Sequence, residues 1–340
     1  MNAAGTSSAS SRRPPILRVE GLKTHFFTKA GVLRAVDDVT FEVAEGEVVG
    51  LVGESGSGKS MTGYSIMGLV DPPGRIVAGT IELAGRDLSR LSAEDMRQLR
   101  GNRIAMIFQD PMMTLNPVLR IDRQMIETIL AHERVSVEAA RERSRAALAK
   151  VGIPSPDARL LAYPHQFSGG MRQRVAIAIA LLNNPDLIIA DEPTTALDVT
   201  IQGQILYEMQ KLTRETRAAM IWITHDLSVV AGLADRVCVM YAGRIVEQGT
   251  TYDVLTTPRH PYTQGLLDSV PSRSARGARL KQIPGMTPSL LELGPGCPFR
   301  ERCAFATAAC AVLPPLQPQG DGGQAVCCHH PLVHEPAMPA

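Results

Sequence analysis

The sequence predicts an α/β fold of buried parallel strands, with a helical insert and a small cysteine-rich extension at the end. Three observations predict it. Short apolar runs recur, "VVGLV", "IAMIF", "LIIAD" and "AMIWIT", and each closes on polar or glycine-rich residues. Runs of that length and continuity read as strands covered on both faces. From about Asp110 to Asn184 the pattern turns helical and charged, as in "SVEAARERSRAALAKVGI". After Gly249 proline becomes frequent, the periodicity weakens, and five of the six cysteines crowd together from Cys297 onward.

Bulk properties narrow the function classes. With 340 residues the chain is long enough for one large or two ordinary domains with a real core. A formal net charge of +1 makes no case for a nucleic-acid partner. The longest apolar run, Val175–Leu182, is far short of the roughly 20 residues that span a bilayer. Residues 1–15 are polar, with no apolar stretch, and are expected to form a disordered tail rather than a secretory signal. No cysteine precedes Cys238, which fits a reducing compartment without a disulfide framework.

The strongest local signal is "VVGLVGESGSGKS", Val48–Ser60. A strand runs into G-x-x-x-x-G-K-S, and a helix is expected to follow. Glycines let such a loop curl, so that successive backbone N–H groups and the helix N-terminus face phosphate oxygens. Lys59 would add a point charge on the β and γ phosphates, and Ser60 a hydroxyl for Mg²⁺. The bland alternative, a glycine-rich turn, does not require the strand and helix that flank this one. A second acidic strand is needed, and "PDLIIADEP" supplies it: Asp191 for the Mg²⁺ shell, Glu192 to polarise an attacking water. "IAMIFQDP" ends in Gln109, which can reach Mg²⁺ and water. "AMIWITHD" ends in His225, at the carboxyl end of a parallel sheet, where ligands bind. "FSGGM", Phe167–Met171, places Ser168, Gly169 and Gly170 at a helix start. That is either an ordinary serine cap or a second anion site. A second anion site makes sense in a head-to-tail dimer, with Ser168 of one subunit closing on the γ-phosphate held by the other.

Together these residues resemble the ATP-binding subunit of an ABC transporter. The resemblance implies a P-loop ABC ATPase core, a RecA-like mixed sheet plus a helical subdomain, that binds ATP and Mg²⁺. By it, Gly53–Ser60 is the Walker A loop. Gly53, Ser55, Gly56, Ser57 and Gly58 then meet the phosphates with Lys59, Ser60 and Met61. Gln109 is the Q-loop glutamine, "FSGGM" the signature, and Asp191 and Glu192 the Walker B aspartate and catalytic glutamate. Asp198 belongs to the D-loop "ALD", and His225 is the switch histidine. Mg²⁺ would be held by Ser60, Gln109 and Asp191. The signature departs from LSGGQ at Phe167 and Met171, with its serine and both glycines intact. An aromatic residue near the N-terminus is expected on the adenine. Phe26 aligns better than Phe27, although either could be core.

A narrower resemblance covers the C-terminal part. "P-x-H-P-Y-T-x-x-L-L", "I-P-G-x-x-P-S-L" and "G-C-x-F-x-x-R-C" look like the extension of oligopeptide/dipeptide transporter ATPases. Gaps of five, six and sixteen or seventeen residues separate Cys297, Cys303, Cys310 and the pair Cys327–Cys328. They are too wide for the usual zinc pattern and suit an iron–sulfur cluster better. The resemblance implies a 4Fe–4S cluster on Cys297, Cys303, Cys310 and Cys328, the last chosen because the family pattern places cysteine before histidine. Zinc and free thiols stay open. Cys238 is expected to be plain core.

The divisions expected are 1–15 as tail, 16–255 as ATPase domain with its helical insert at about 110–184, and 256–340 as extension. The extension is expected to pack apart from the Walker residues. The resemblance implies a peripheral subunit on the cytoplasmic face of the inner membrane, energising import of peptides or related solutes. Its partners would be two membrane-spanning permease subunits, a second ATP-binding subunit (a paralogue by family habit) and an extracytoplasmic solute-binding protein. A soluble ABC ATPase of translation or repair is the rival reading. Those usually carry two cassettes or a long coiled-coil insert, and neither is present. An iron–sulfur sensor with a dead ATPase does not fit the intact Walker residues.

Overall fold

The computed structural model describes residues 15–195, 199–270, 281–319 and 323–334. Two sheets face each other. The first is antiparallel, in the order β2-β1-β4-β5: β1 is Pro15–Thr28, β2 Gly31–Ala44, β4 Gly74–Leu83 and β5 Arg86–Asp87. The second is mixed. Its parallel part runs β9-β3-β8-β7-β6, with β3 at Val48–Val52, β6 at Ile104–Ile107, β7 at Leu187–Asp191, β8 at Ala219–Thr224 and β9 at Arg236–Tyr241. β10 (Arg244–Thr250) turns back antiparallel to β9. Every residue of β3, β6, β7 and β8 is buried, which is why these strands read as unbroken apolar runs rather than alternating ones.

Helices cover the parallel strands. α1 (Lys59–Met67) starts where the glycine-rich loop ends, and α2 (Ala93–Leu99) follows the antiparallel sheet. α3 (Ile121–Leu130), α4 (Val137–Lys150), α5 (Pro156–Leu160) and α6 (Gly169–Leu181) occupy the stretch where the sequence turns helical and charged. Ser136 caps α4 and Ser168 caps α6, each accepting a backbone N–H three residues on. α7 (Val199–Thr216), α8 (Leu227–Leu233) and α9 (Thr251–Thr256) complete the layer. No described helix is long and apolar enough to cross a membrane.

Three packed clusters hold the layers. One lies between the two sheets around Leu17, Phe41, Leu51 and Ile66. Another joins α3, α4 and α6 to the far face of the parallel strands around Trp222. The third corrects the sequence reading. The extension does not pack apart: α10 (Pro261–Asp268) and the loop around Phe299 share one cluster with Val52, Val237 and Tyr241 of the main sheet. Phe299 is 3% exposed and lies edge-on to Tyr241 at 5.3 Å between centroids. Two further strands, β11 (Gln317–Gln319) and β12 (Gln324–Val326), add to the edge of the main sheet through β10. The physical reason is area. A segment this rich in proline and glycine has no apolar face large enough for a core of its own, so it borrows one. Cys238 is fully buried in β9, as expected of core, and burial pushes its thiol up to about 12.

A shared core implies joint unfolding. Calorimetry of the chain should give one transition, with no earlier one for the extension. Phe299→Ala should lower that transition by an amount corresponding to about 3–5 kcal/mol, the usual cost of emptying a buried aromatic site.

Candidate active site

The carboxyl ends of β3, β6, β7 and β8 open onto one cleft of about 1060 Å³. The loop from Gly53 to Ser60 forms its floor. Gly58 takes a φ of +98°, and a Cβ there would lie 2.3 Å from the Ala35 carbonyl, so glycine is required. Ser55, Gly56, Ser57, Gly58, Lys59, Ser60 and Met61 line the cleft, together with Gln109, Glu192 and His225. The structure thus brings the P-loop residues together with Gln109, Glu192 and His225 on one cleft.

Each side chain is held by identifiable partners. The Lys59 ammonium is buried and donates to the carbonyls of Gly53 and Glu54 at 2.8 and 2.9 Å. Burial lowers its pKa, opposed by the nearby carboxylates of Glu192, Asp191 and Glu54. Ser60 donates its hydroxyl to Asp191 at 2.8 Å. Asp191 is 2% exposed, and burial raises its pKa while the Ser60 hydrogen bond lowers it. A buried carboxylate touching a hydroxyl suits a divalent cation, which would replace the desolvation penalty with direct ligation. Glu192 follows in a left-handed conformation, φ 44°, which a non-glycine residue keeps only where its surroundings impose it. Its N–H donates to the Ile223 carbonyl at 2.9 Å. Gln109 and Thr195 donate to one carboxylate oxygen at 3.2 and 3.1 Å, and Nδ1–H of His225 donates to the other at 3.1 Å. Gln109 therefore meets Glu192 and not Asp191.

Ser168 and Gly169 are exposed and Gly170 half-buried at the start of α6, and none of them lines this cleft. Asp198 lies outside the described residues. Phe26 lines the cleft and packs so tightly on Gly74 that a Cβ there would come within 2.6 Å of its ring. Phe27 instead stacks under Arg75, 4.1 Å from the guanidinium carbon to the ring centroid, and is partly exposed. Sequence reasoning missed the far wall. Leu266, Ser269, Ile283, Thr287 and Leu290, all from the extension, also line the cleft. Leu266, Ile283, Thr287 and Leu290 sit inside the extension motifs already quoted, which mark a family resemblance but carry no address in the fold.

Four of the five late cysteines converge elsewhere. Cys297, Cys303, Cys310 and Cys328 line one small pocket with His260 and Phe299. Cys327 does not line it: its thiol donates to the Pro314 carbonyl at 2.9 Å. Burial pushes the Cys328 thiol up to about 11 and raises those of Cys297 and Cys303. Among the described residues no three His, Cys, Asp or Glu side chains close round a single-ion position.

Comparison with known proteins places the chain. Residues 36–195 match the ABC transporter family, and residues 246–310 match the C-terminal region of oligopeptide/dipeptide transporters. The dipeptide transport ATP-binding protein DppD of Bacillus subtilis is 49% identical over 92% of this chain and 94% of its own length. The chain belongs to the oligopeptide/dipeptide branch of ABC transporter ATP-binding subunits. The oligopeptide transport ATP-binding protein OppD of Escherichia coli is 47% identical over 94% of both chains. Among solved structures, the dimeric ATP-binding cassette MJ0796, in a post-hydrolysis state with ADP and Pi, superposes with a TM-score of 0.63. It is 27% identical and covers 69% of this chain and 98% of its own. CbiO1 of Clostridium perfringens gives a TM-score of 0.61 at 26% identity, covering 72% of this chain and 91% of its own. This ABC ATPase therefore hydrolyses ATP, on an α/β fold of the expected kind.

The two phenylalanines separate by experiment. Phe26→Ala in this ABC ATPase should weaken ATP binding about tenfold or more, since losing a base–aromatic stack costs ~1–3 kcal/mol. Phe27→Ala should leave it within about twofold. Titration with a fluorescent ATP analogue reads both.

Proposed function

We propose that this chain energises the import of di- or oligopeptides, or closely related solutes, across the cytoplasmic membrane. It would work from the cytoplasmic face of the inner membrane. Two membrane-spanning permease subunits, a second and paralogous ATP-binding subunit, and an extracytoplasmic solute-binding protein complete the assembly. The observation that carries the ATPase part is the grip on Glu192. Gln109, Thr195 and His225 hold its carboxylate at the cleft, one residue after an aspartate that touches the P-loop serine.

The geometry supports a role for each residue. Lys59 exchanges its two carbonyl partners for β and γ phosphate oxygens when ATP enters. Glu192 accepts the proton of the attacking water, with His225 and Gln109 fixing its orientation. Ser60 and Asp191 would hold Mg²⁺, and Gln109, which bonds Glu192 here, is the further residue within the cleft that could join them. When bound, the ion would supply charge neutralisation for the transferred phosphoryl group. Ser168, Gly169 and Gly170 act in trans, closing on the nucleotide of the partner ATPase with their helix N-terminus, and Asp198 joins that interface. The exposure of Ser168 and its absence from the chain's own cleft support this. The same reading keeps residues 16–255 as the ATPase unit, 110–184 as its helical insert and 256–340 as an extension grown onto it.

The donor set also fits a 4Fe–4S cluster on Cys297, Cys303, Cys310 and Cys328. Four thiols on one pocket, with Cys327 turned away to Pro314, match four corners better than one ion. The fully buried His260 adds to the fit. Its Nδ1 accepts the Tyr262 N–H at 3.0 Å, which leaves a proton on Nε2 with no partner among the described residues. Such a cluster would cross-link a segment poor in its own core.

Two experiments test these readings. Glu192→Gln should retain ATP binding while ATP hydrolysis and peptide uptake by the assembled transporter fall by about two to four orders of magnitude. Turnover within a few-fold of wild type would remove Glu192 from its role. For the cysteines, protein purified without oxygen should carry about four irons and four acid-labile sulfides per chain. Serine at any of the four positions should abolish this, and Cys327→Ser should not. Zinc without sulfide, or no metal at all, would overturn the cluster.

A further inference from the structure

One ion pair joins the extension directly to the nucleotide loop. Arg302 closes a short 3-10 turn, Arg300–Arg302, immediately before Cys303. Its guanidinium grips the Glu54 carboxylate with both arms, at 2.7 and 3.0 Å, across 248 residues of chain. This is no surface pair. The Arg302 side chain is 6% exposed and that of Glu54 29%. Two further donors of Arg302 are used, on the Pro284 carbonyl at 2.8 Å and the Tyr241 hydroxyl at 3.2 Å.

Glu54 occupies the second position of the P-loop and lines the cleft. It is held at three points. Arg302 takes its carboxylate, the Tyr262 hydroxyl accepts its N–H at 2.8 Å, and Lys59 donates to its carbonyl at 2.9 Å. Two of those three partners come from the extension. A carboxylate in a loop that cradles a triphosphate is unfavourable unless neutralised. A planar fork that bonds both oxygens neutralises it and fixes its direction together. The Pro284 carbonyl on the same guanidinium anchors the neighbours of Ile283, which lines the cleft.

We infer that Arg302 is a positioning residue for the P-loop, through which the cysteine-rich extension sets this subunit's affinity for ATP. It touches neither nucleotide nor water. It holds Glu54 away from the phosphates, and with it the loop geometry that frees Lys59 for them. The inference rests on the P-loop being the nucleotide site.

The test is a double-mutant cycle in the full-length chain, read as binding of a fluorescent ATP analogue with Mg²⁺ and, separately, as thermal midpoint without nucleotide. Arg302→Gln should weaken binding by about ten- to a hundredfold, the range for losing charged hydrogen bonds. Glu54→Gln added to Arg302→Gln should recover much of that loss, because the uncompensated carboxylate is gone. An arginine that serves stability alone would shift the thermal midpoint but leave ATP binding by the folded chain, measured well below that midpoint, unchanged. Arg302→Lys should fall between, since it restores the charge without the fork. Should Arg302→Gln not fold, the same cycle is run with Arg302→Lys. Lys59→Ala serves as the reference. Wild-type binding in Arg302→Gln, beside a loss in Lys59→Ala, overturns the role of Arg302 alone. A loss in Arg302→Gln that Glu54→Gln does not lessen also overturns it. Unchanged binding in Lys59→Ala overturns the nucleotide site itself and this inference with it.

Discussion

A loop that offers bare backbone N–H groups to a phosphate cannot support itself with bulky side chains, so the rest of the fold must hold it from outside. Most of this structure answers that constraint. Gly53 and Gly58 let the loop press against the carbonyls of Met240 and Ala35, approaches that a Cβ would block. Gly243 N–H donates to the Ser57 carbonyl at 2.9 Å, and the Asp37 N–H in turn donates to Gly243 at 2.8 Å. The antiparallel sheet, the β9–β10 turn and the extension thus all touch one short loop. The P-loop is where the layers meet, which is why nucleotide binding can report on distant parts of the chain.

The charged side chains of the cleft each rest on identifiable protein partners. Lys59 rests on two carbonyls, and Asp191 on the Ser60 hydroxyl. Glu192 rests on Gln109, Thr195 and His225. The strained backbone at Glu192 fits the same picture, because strain persists where surrounding contacts over-determine a position.

The extension deserves to be seen as part of the ATPase rather than an appendix. It extends the main sheet, completes a core cluster and walls the cleft. Its cysteine-lined pocket shares Phe299 with that core, and the turn carrying Arg302 leads straight into Cys303. Whatever rigidifies this pocket is therefore mechanically close to Glu54.

Residues whose chemistry is local were legible in the sequence. The P-loop, Asp191–Glu192, Gln109 and His225 each end a short apolar strand, and a parallel sheet brings such ends together by its topology. Ser168 was legible as a helix cap, but its absence from the chain's own cleft needed coordinates. Phe26 was preferred to Phe27 only by its place in the resemblance, because adjacent strand residues face opposite sides and the packed sheet tells which side holds the cleft. Cys327 and Cys328 parted for the same kind of reason, one thiol turning to Pro314 and its neighbour to the pocket. The sequence by itself determined the fold class and named the residues expected at the cleft, because motif spacing acts over a few residues. Only the tertiary structure decided that Arg302 meets Glu54 and that the extension closes the cleft, since no local pattern encodes a contact between residues 248 positions apart.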